Sequence, residues 1–301
     1  MDVVATGLRF PEGPIAMPDG SVILVEIERG TLSRVSLAGE VSVIADLGGG
    51  PNGAAIGPDG ACYICNNGGF EWIRPGDLLI PGDEAPDYSG GRIERVDLET
   101  GDVTTLYTEC DGNPLRGPND IVFDKEGGFW FTDHGKVHGR LRDRGAVFYA
   151  LPDGSSIKEV VFPLEAPNGI GLSPNEDFLF VAETPTARLW KFKIASPGVI
   201  EPQVPFTGEC VAGMGGHQFF DSLALDGEGN ICIATIINGG ITSISPDGTK
   251  VEHLPTEDGL TTNICFGGED LKTAYITLSS TGQLVKTTWA RPGLPLNFLN
   301  T

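Results

Sequence analysis

The chain has 301 residues, of which 40% are hydrophobic, and a formal net charge of −21 at pH 7. So acidic a protein repels phosphate backbones and anionic lipid surfaces, and we expect neither nucleic-acid nor membrane partners. No apolar run reaches the length of about 18 residues that a transmembrane helix needs, and the N-terminus lacks the basic and apolar regions of a signal peptide. We therefore expect a cytoplasmic protein. We also expect a monomer or a homodimer, although neither follows from the charge.

Six oxygen-bearing side chains, which we call the anchors, each begin a short apolar run. The anchors are Glu12, Asn52, Asn119, Asn168, Asp221 and Asn263. A second polar residue follows each anchor about 14 positions later, and we call these the partner residues: Glu26, Asn66, Asp133, Glu183, Thr235 and Thr277. Four repeats also carry glycine at one shared position, where a tight turn requires it: Gly20, Gly60, Gly127 and Gly229. Such self-similarity is typical of a repeat architecture.

Each repeat predicts four strands. The first strand follows the anchor, the second ends at the partner residue, as in Gly128-Phe-Trp-Phe-Thr-Asp133, and two more flank another turn. Six such sheets predict an all-β fold, a six-bladed β-propeller of four-stranded blades that occupies residues 1–301 as a single domain. The last repeat lacks a clear fourth strand, and we expect the N-terminal segment Asp2–Gly7 to complete it and close the ring. A β-sandwich of similar strand content is the alternative.

The alternating strand directions place the anchors. The start of each first strand and the end of each second strand lie on the same face, so we expect the anchors to form a ring at the mouth of the central channel. Glu12 and Asp221 supply two carboxylates and the other anchors supply carboxamides, an all-oxygen set that suits one divalent cation. We expect Ca²⁺, with Mg²⁺, Mn²⁺, Fe²⁺ and Zn²⁺ as alternatives. Asn52 and Asn263 have a second interpretation as turn formers.

Five segments, in order along essentially the whole chain, resemble the motifs of one family: Phe10-Pro-Glu-Gly-Pro14, Gly117-Pro-Asn-Asp120, Ala166-Pro-Asn-Gly-Ile170, Phe220-Asp-Ser-Leu-Ala224 and Cys265-Phe-Gly-Gly-Glu-Asp-Leu-Lys272. It is the regucalcin (senescence marker protein)/gluconolactonase/luciferin-regenerating enzyme family. The resemblance implies a six-bladed propeller with one divalent metal in its channel and, for many members, lactone hydrolysis. It also implies that the metal ligands are Glu12, Asn119, Asn168 and Asp221, with Asp221 as the catalytic carboxylate.

The predicted substrate contacts depart from the family pattern in one place. Members that act on sugar lactones commonly carry an arginine two residues before the position of Asn119, whereas this chain has Gly117 there and Arg116 one residue earlier. We keep Arg116 as a candidate substrate contact. The other candidates are Asn52, Asn119, His134, Asn263 and Trp72. Trp72 belongs to the longest insertion, residues 67–90, which follows the second strand of repeat two and therefore lies on the anchor face.

These observations together predict a metal-dependent hydrolase that opens a lactone ring, with a small-molecule lactone as its partner. The metal would polarise the lactone carbonyl, and Asp221 would act as the general base that takes a proton from the attacking water. An organophosphate-type hydrolase at the same site is one alternative. A non-enzymatic propeller that binds calcium or another ligand is the other, because the fold alone does not fix the function.

Overall fold

The computed structural model describes residues 1–202 and 208–300. Those residues form strands and no helix. They therefore contain no helix that could cross a membrane. The strands of the first half are β1 (Asp2–Ala5), β2 (Pro11–Ala16), β3 (Val22–Glu26), β4 (Thr31–Val35), β5 (Val41–Asp46), β6 (Pro51–Ile56), β7 (Cys62–Asn66), β8 (Phe70–Ile73), β9 (Ile80–Glu84), β10 (Arg92–Val96), β11 (Val103–Tyr107), β12 (Glu109–Cys110), β13 (Asn113–Pro114), β14 (Pro118–Phe123), β15 (Phe129–Asp133), β16 (Val137–His138), β17 (Leu141–Arg142), β18 (Gly145–Ala150) and β19 (Ile157–Leu164). Those of the second half are β20 (Pro167–Leu172), β21 (Phe178–Glu183), β22 (Arg188–Ser196), β23 (Val199–Ile200), β24 (Glu209–Gly213), β25 (Phe219–Leu225), β26 (Ile231–Ile236), β27 (Gly240–Ile244), β28 (Val251–Pro255), β29 (Thr261–Gly267), β30 (Thr273–Leu278) and β31 (Gln283–Thr288).

Six antiparallel sheets form the blades of a β-propeller. From the channel outward they are β2-β3-β4-β5, β6-β7-β10-β11, β14-β15-β18-β19, β20-β21-β22-β24, β25-β26-β27-β28 and β29-β30-β31-β1. In the fourth blade two strands pair with β22: β24 with its first part and the short strand β23 with its end. The innermost strands β2, β6, β14, β20, β25 and β29 are neighbours in cyclic order around the channel. The predicted six-bladed propeller is therefore confirmed.

The N-terminal strand closes the ring, as the sequence predicts. Strand β1 pairs antiparallel with β31, with Asp2 opposite Lys286 and Val3 opposite Val285. Leu8 then donates a backbone hydrogen bond to the carbonyl of Gly282 at 3.0 Å. The last blade thus draws its outer strand from the opposite end of the chain.

The core consists of apolar clusters between neighbouring blades. Six such clusters occur, one at each boundary between two blades, the boundary between the last and the first included. The second strand of a blade packs against both neighbouring blades, so β3, β7 and β15 are buried along their whole length. This two-sided burial explains why apolar runs such as Phe129-Trp-Phe131 show no alternation with polar residues.

Each innermost strand interrupts its register beside the anchor. In the first blade Glu12 pairs with Val25, but Ile15 pairs with Ile23, so two residues of β2 oppose one residue of β3. Four other innermost strands break register at the equivalent place, and β29 breaks it just before the anchor, between Thr261 and Asn263. A β-bulge of this kind bends the strand and redirects a side chain, here the anchor.

The repeat spacing has a simple structural basis. In five blades the partner residue lies directly opposite the residue before the anchor, as Glu26 lies opposite Pro11. In the sixth blade Thr277 lies opposite Asn263 itself. The four glycines at the shared turn position all have positive φ, between 76° and 90°. The predicted strand pairs and tight turns are confirmed.

Glycines beside the anchors let the innermost strands approach one another closely. A Cβ atom on Gly53 would lie 2.4 Å from the carbonyl oxygen of Asn119, and one on Gly169 would lie 2.6 Å from the backbone nitrogen of Leu223. Both contacts join adjacent blades at the level of the anchor ring. A side chain at either position would push the anchors apart.

We expect Gly53→Ala to lower the free energy of unfolding by about 1–3 kcal/mol, the usual cost of forcing extra atoms into a packed interior. Gly215→Ala is the matched control, because a Cβ atom on Gly215 would meet no heavy atom within 4 Å beyond its chain neighbours, and its φ is not left-handed. The control should stay within about 0.5 kcal/mol of the parent. Urea unfolding monitored by tryptophan fluorescence measures both, and equal midpoints for the two variants would contradict the close-approach argument.

Candidate metal centre and pocket

One cavity on the anchor face brings most of the predicted site residues together. Its volume is about 190 Å³. Five anchors and one further predicted residue line it: Glu12, Asn52, Asn119, Asn168, Asp221 and His134. The sixth anchor, Asn263, lies on the channel side of this ring and lines a different cavity. The structure thus assembles one compact polar centre from five blades.

Glu12 is buried, with 2% of its surface exposed. Its Oε2 atom accepts two hydrogen bonds, one from the backbone N–H of Gly13 at 2.6 Å and one from the Asn263 side-chain amide at 2.7 Å. Burial, and then the charge of Asp221, nevertheless raise the pKa of the Glu12 carboxyl well above its usual value. Asn263 therefore orients Glu12 from the last blade.

Asp221 is partly exposed and lines the same cavity. Desolvation of its carboxyl within the cavity raises the pKa to about 8, the Asn168 amide partly opposes the shift, and the charge of Asp120 adds to it. Asp120 is itself buried, and desolvation raises its pKa to about 7. Three acidic groups thus lie close enough to disfavour ionisation, and hydrogen bonds from the backbone, from amides and from the Ser222 hydroxyl oppose this.

The carboxamides of Asn119 and Asn168 complete the centre. Asn168 donates from Nδ2 to the Thr184 hydroxyl at 3.1 Å, and its Oδ1 accepts a long hydrogen bond from Ser222 at 3.3 Å. Asn119 Oδ1 is buried and accepts no hydrogen bond from any residue that the structure describes. A buried carbonyl oxygen without a donor is costly unless it meets another electropositive partner.

This donor set fits a divalent cation. In residues 1–202 and 208–300 no three His, Cys, Asp or Glu side chains converge as a metal site, so a cation here depends on carboxamide oxygens as well. Two carboxylates of raised pKa, the unpartnered oxygen of Asn119 and the weakly bonded oxygen of Asn168 surround one space. Hard oxygen ligands of this kind suit Ca²⁺ and similar ions.

Four of the six partner residues hold the loops that present the anchors. Glu26 Oε2 accepts a hydrogen bond from the backbone N–H of Arg9 at 2.8 Å. Glu183 Oε1 accepts one from the backbone N–H of Glu165, also at 2.8 Å. The equivalent contacts in the second and third blades are made by Asn66 and Asp133. Each accepted N–H belongs to the short segment just before an anchor, so these residues support the ring rather than line it.

Arg116 lies beside the cavity, and its guanidinium is bonded to other side chains of the protein. It donates to Asp143 at 2.9 Å and to Glu84 at 3.3 Å, and its guanidinium carbon lies 5.3 Å from the ring centre of Tyr88. His138 contacts the same guanidinium at 3.0 Å. Arg116 is not among the residues that line the cavity. Its predicted contact with substrate stays a prediction, and the structure gives it a role in joining blade three to the 67–90 insertion.

Trp72 and His134 differ in their positions. Trp72 does not line the cavity but packs behind two residues that do, with ring centres 5.2 Å from Phe10 and 6.3 Å from Phe70. His134 lines the cavity. Burial and the positive charges of Arg142 and Lys136 lower the pKa of His134 to about 3, so its imidazole is neutral near pH 7.

Two buried residues beside the cavity, Asp120 and Lys136, were not predicted from the sequence as site residues. Asp120 directly follows an anchor, a position that could have marked it as a neighbour of the ring. Lys136 follows His134 in the same loop and lines the cavity, with 2% of its surface exposed. Burial lowers the pKa of Lys136 to about 7. Its place on the anchor face follows from the loop, but nothing in the sequence indicates its burial.

The shifted carboxyls predict a pH dependence. With chelator present, the free energy of unfolding should fall as the pH rises from about 4 to about 8, because the folded state keeps protons on Glu12 and Asp221 that the unfolded state has lost. Asp221→Asn removes one of these groups, so its fall should be smaller by more than about 1 kcal/mol. Urea unfolding at each pH measures this difference. Superimposable pH profiles would contradict the assigned shifts.

Several proteins of known sequence or structure are similar to this chain. The lactonase drp35 of Staphylococcus saprophyticus is 27% identical over 84% of this chain and 72% of its own length. The gluconolactonase of Zymomonas mobilis is 24% identical over 95% of this chain and 81% of its own length. The crystal structure of regucalcin, a calcium-binding protein from Agrobacterium tumefaciens, matches with a TM-score of 0.73 and 18% identity over 98% of this chain and 97% of its own. A family model described as the SMP-30/gluconolactonase/LRE-like region matches residues 10–280, so the chain belongs to the SMP-30/gluconolactonase/LRE-like family.

Proposed function

We propose that this protein hydrolyses lactones with one divalent cation held by Glu12, Asn119, Asn168 and Asp221. The observation that carries the proposal is the convergence of two carboxylates of raised pKa on a buried carboxamide oxygen that has no hydrogen-bond donor among the described residues. A cation relieves both the repulsion and the unmet acceptor. A purely structural polar cluster would instead pair its own groups.

The relatives support the reaction class. Two of them are named as a lactonase and a gluconolactonase, and they align with most of this chain. A structural relative is described as calcium-binding. Together with the all-oxygen donor set, this favours Ca²⁺, and Mg²⁺, Mn²⁺, Fe²⁺ and Zn²⁺ are the alternatives to be ranked by experiment.

The chain's own residues divide the chemistry between them. When bound, a divalent cation supplies the Lewis acidity that polarises a lactone carbonyl. Asp221 faces the cavity and, once positive charge lies beside it, is ionised near neutral pH and accepts a proton from the attacking water. The water oxygen adds to the carbonyl carbon, the ring C–O bond breaks, and the released alkoxide takes up a proton, which gives a hydroxy acid.

The neutral polar groups of the cavity have a separate task. Asn52 and the neutral imidazole of His134 line the cavity beside the ligands. Each can donate an N–H to an oxygen of the substrate without adding charge. We propose that they orient the lactone and stabilise the oxyanion that develops at its carbonyl.

Asp221 has two proposed roles, and a pair of substitutions separates them. Asp221→Asn and Glu12→Gln should both weaken cation binding, measured by isothermal titration calorimetry. At saturating cation Glu12→Gln should regain most of its kcat for a lactone, whereas Asp221→Asn should remain at least about 100-fold below the parent because it lacks the general base. Equal recovery of the two variants would rule out Asp221 as the base.

Removal of the cation tests the metal dependence and the alternatives together. EDTA should abolish lactone hydrolysis and lower Tm, and returning cations singly should restore both, in an order that ranks the metals. At a concentration 100 times Kd the restored stability should be about 2.7 kcal/mol. Activity unchanged by EDTA would refute a metal-dependent enzyme. Turnover of a phosphotriester in preference to every lactone would favour the organophosphate reaction, and a Tm shift without turnover of either would favour a binding protein.

A further inference from the structure

The residues that line the cavity also bear on which lactones it accepts. Resting on the proposed function, we propose that the cavity selects small monocyclic lactones with an apolar ring substituent over polyhydroxylated lactones. Three features of the cavity favour such substrates: an apolar wall beside the ligands, few free polar groups, and a small volume.

The apolar wall comes from three parts of the chain that meet on the anchor face. Phe10 and Ile27 from blade one, Phe70 from the 67–90 insertion, and Leu260 from the segment before β29 line the cavity together. They belong to a hydrophobic cluster that is separate from the six clusters between the blades. The wall and the predicted cation ligands share one small cavity, so a substrate whose carbonyl meets the ligands must place its substituent against the wall.

Lys136 holds Phe70 and the start of the 67–90 insertion in place beside the cavity. Its ammonium donates to Asn67 Oδ1 at 3.0 Å and to the carbonyl of Gly69 at 2.7 Å, and it lies 3.7 Å from the ring centre of Phe70. These contacts fasten the start of the insertion to blade three. Lys136 is thus a positioning residue for Phe70, and its donors are engaged before any substrate arrives.

The remaining polar lining offers little to a substrate rich in hydroxyl groups. Thr184 accepts a hydrogen bond from Asn168, and the Thr262 hydroxyl contacts Thr277 at 2.9 Å. Outside the four ligands, Asn52 is the polar lining side chain that makes no hydrogen bond to another described residue, and the His134 ring contacts only the backbone of Gly135. A sugar lactone would therefore bury several hydroxyl groups without partners, and each such group is unfavourable.

Arg116 does not make up this shortage. Its guanidinium is held by Asp143, Glu84 and His138, outside the lining of the cavity. In this position it does not reach a substrate inside the cavity. The size of the cavity limits the substrate to about one ring, since about 190 Å³ slightly exceeds the roughly 150 Å³ cavity that holds benzene. A single ring with a short chain fills it.

The test compares kcat/KM of the cation-loaded protein for δ-valerolactone, δ-hexalactone, δ-octalactone and glucono-δ-lactone, each corrected for spontaneous hydrolysis. We expect kcat/KM to rise about fourfold for each methylene that enters the apolar wall. Glucono-δ-lactone should be at least about tenfold poorer than δ-octalactone. A value for glucono-δ-lactone equal to or above that for δ-octalactone would overturn the inference and leave the proposed function intact. Hydrolysis of none of the lactones would refute the proposed function itself.

Variants of the wall test its assignment. Phe70→Ala and, independently, Leu260→Ala should flatten the increase of kcat/KM with chain length to less than twofold per methylene. Leu37→Ala is the control, because Leu37 is 78% exposed and does not line the cavity. Lys136→Met should flatten the increase as Phe70→Ala does, and Lys136→Arg should restore part of it by keeping a cationic donor over the ring. A fourfold increase retained in both folded wall variants would overturn the wall assignment.

Discussion

Every innermost strand of this propeller interrupts its hydrogen-bonded register beside the anchor, and the candidate site depends on that interruption. A regular strand alternates its side chains between the two faces of its blade and directs none at the channel axis. The bulge turns one polar side chain per blade towards that axis. Glycines such as Gly53 then let adjacent strands approach closely. The same local irregularity, repeated around the ring, brings Glu12 into contact with Asn263, 251 residues away.

The polar groups gathered in this way are not balanced by the chain itself. Glu12 and Asp221 are acids whose ionisation is disfavoured by burial and by neighbouring negative charge, and Asn119 presents an oxygen without a donor among the described residues. Such an arrangement is unfavourable for folding near neutral pH and favourable for binding a cation. It follows a general pattern in which binding sites are less stable than the scaffold that carries them. The apolar clusters between the blades supply the stability that the channel mouth lacks.

Much of this could be predicted from the sequence because the blades repeat. The spacing between Glu12 and Glu26, and its recurrence, reflects one strand pair and one turn, so the propeller, the ring and its closure by β1 follow from local pattern. The surroundings of the ring did not follow. The engagement of Arg116 with Glu84 and the burial of Lys136 under Phe70 both depend on how the 67–90 insertion packs on blade three. That packing joins distant segments without any periodic signal, and residue types alone do not encode it.

The proposed ligands come from four different blades, which affects how parts of the molecule unfold locally. Glu12, Asn119, Asn168 and Asp221 belong to the first, third, fourth and fifth blades, whereas apolar packing joins each blade only to its neighbours. In an array of that kind one unit can loosen while the others stay folded. An ion at the hub would also link blade one to blades three, four and five, with which it shares no apolar cluster, so local loosening of any one of the four would require its release. Occupancy would then make these four blades unfold together, and resistance to proteolysis would report on the ion as directly as a binding titration does.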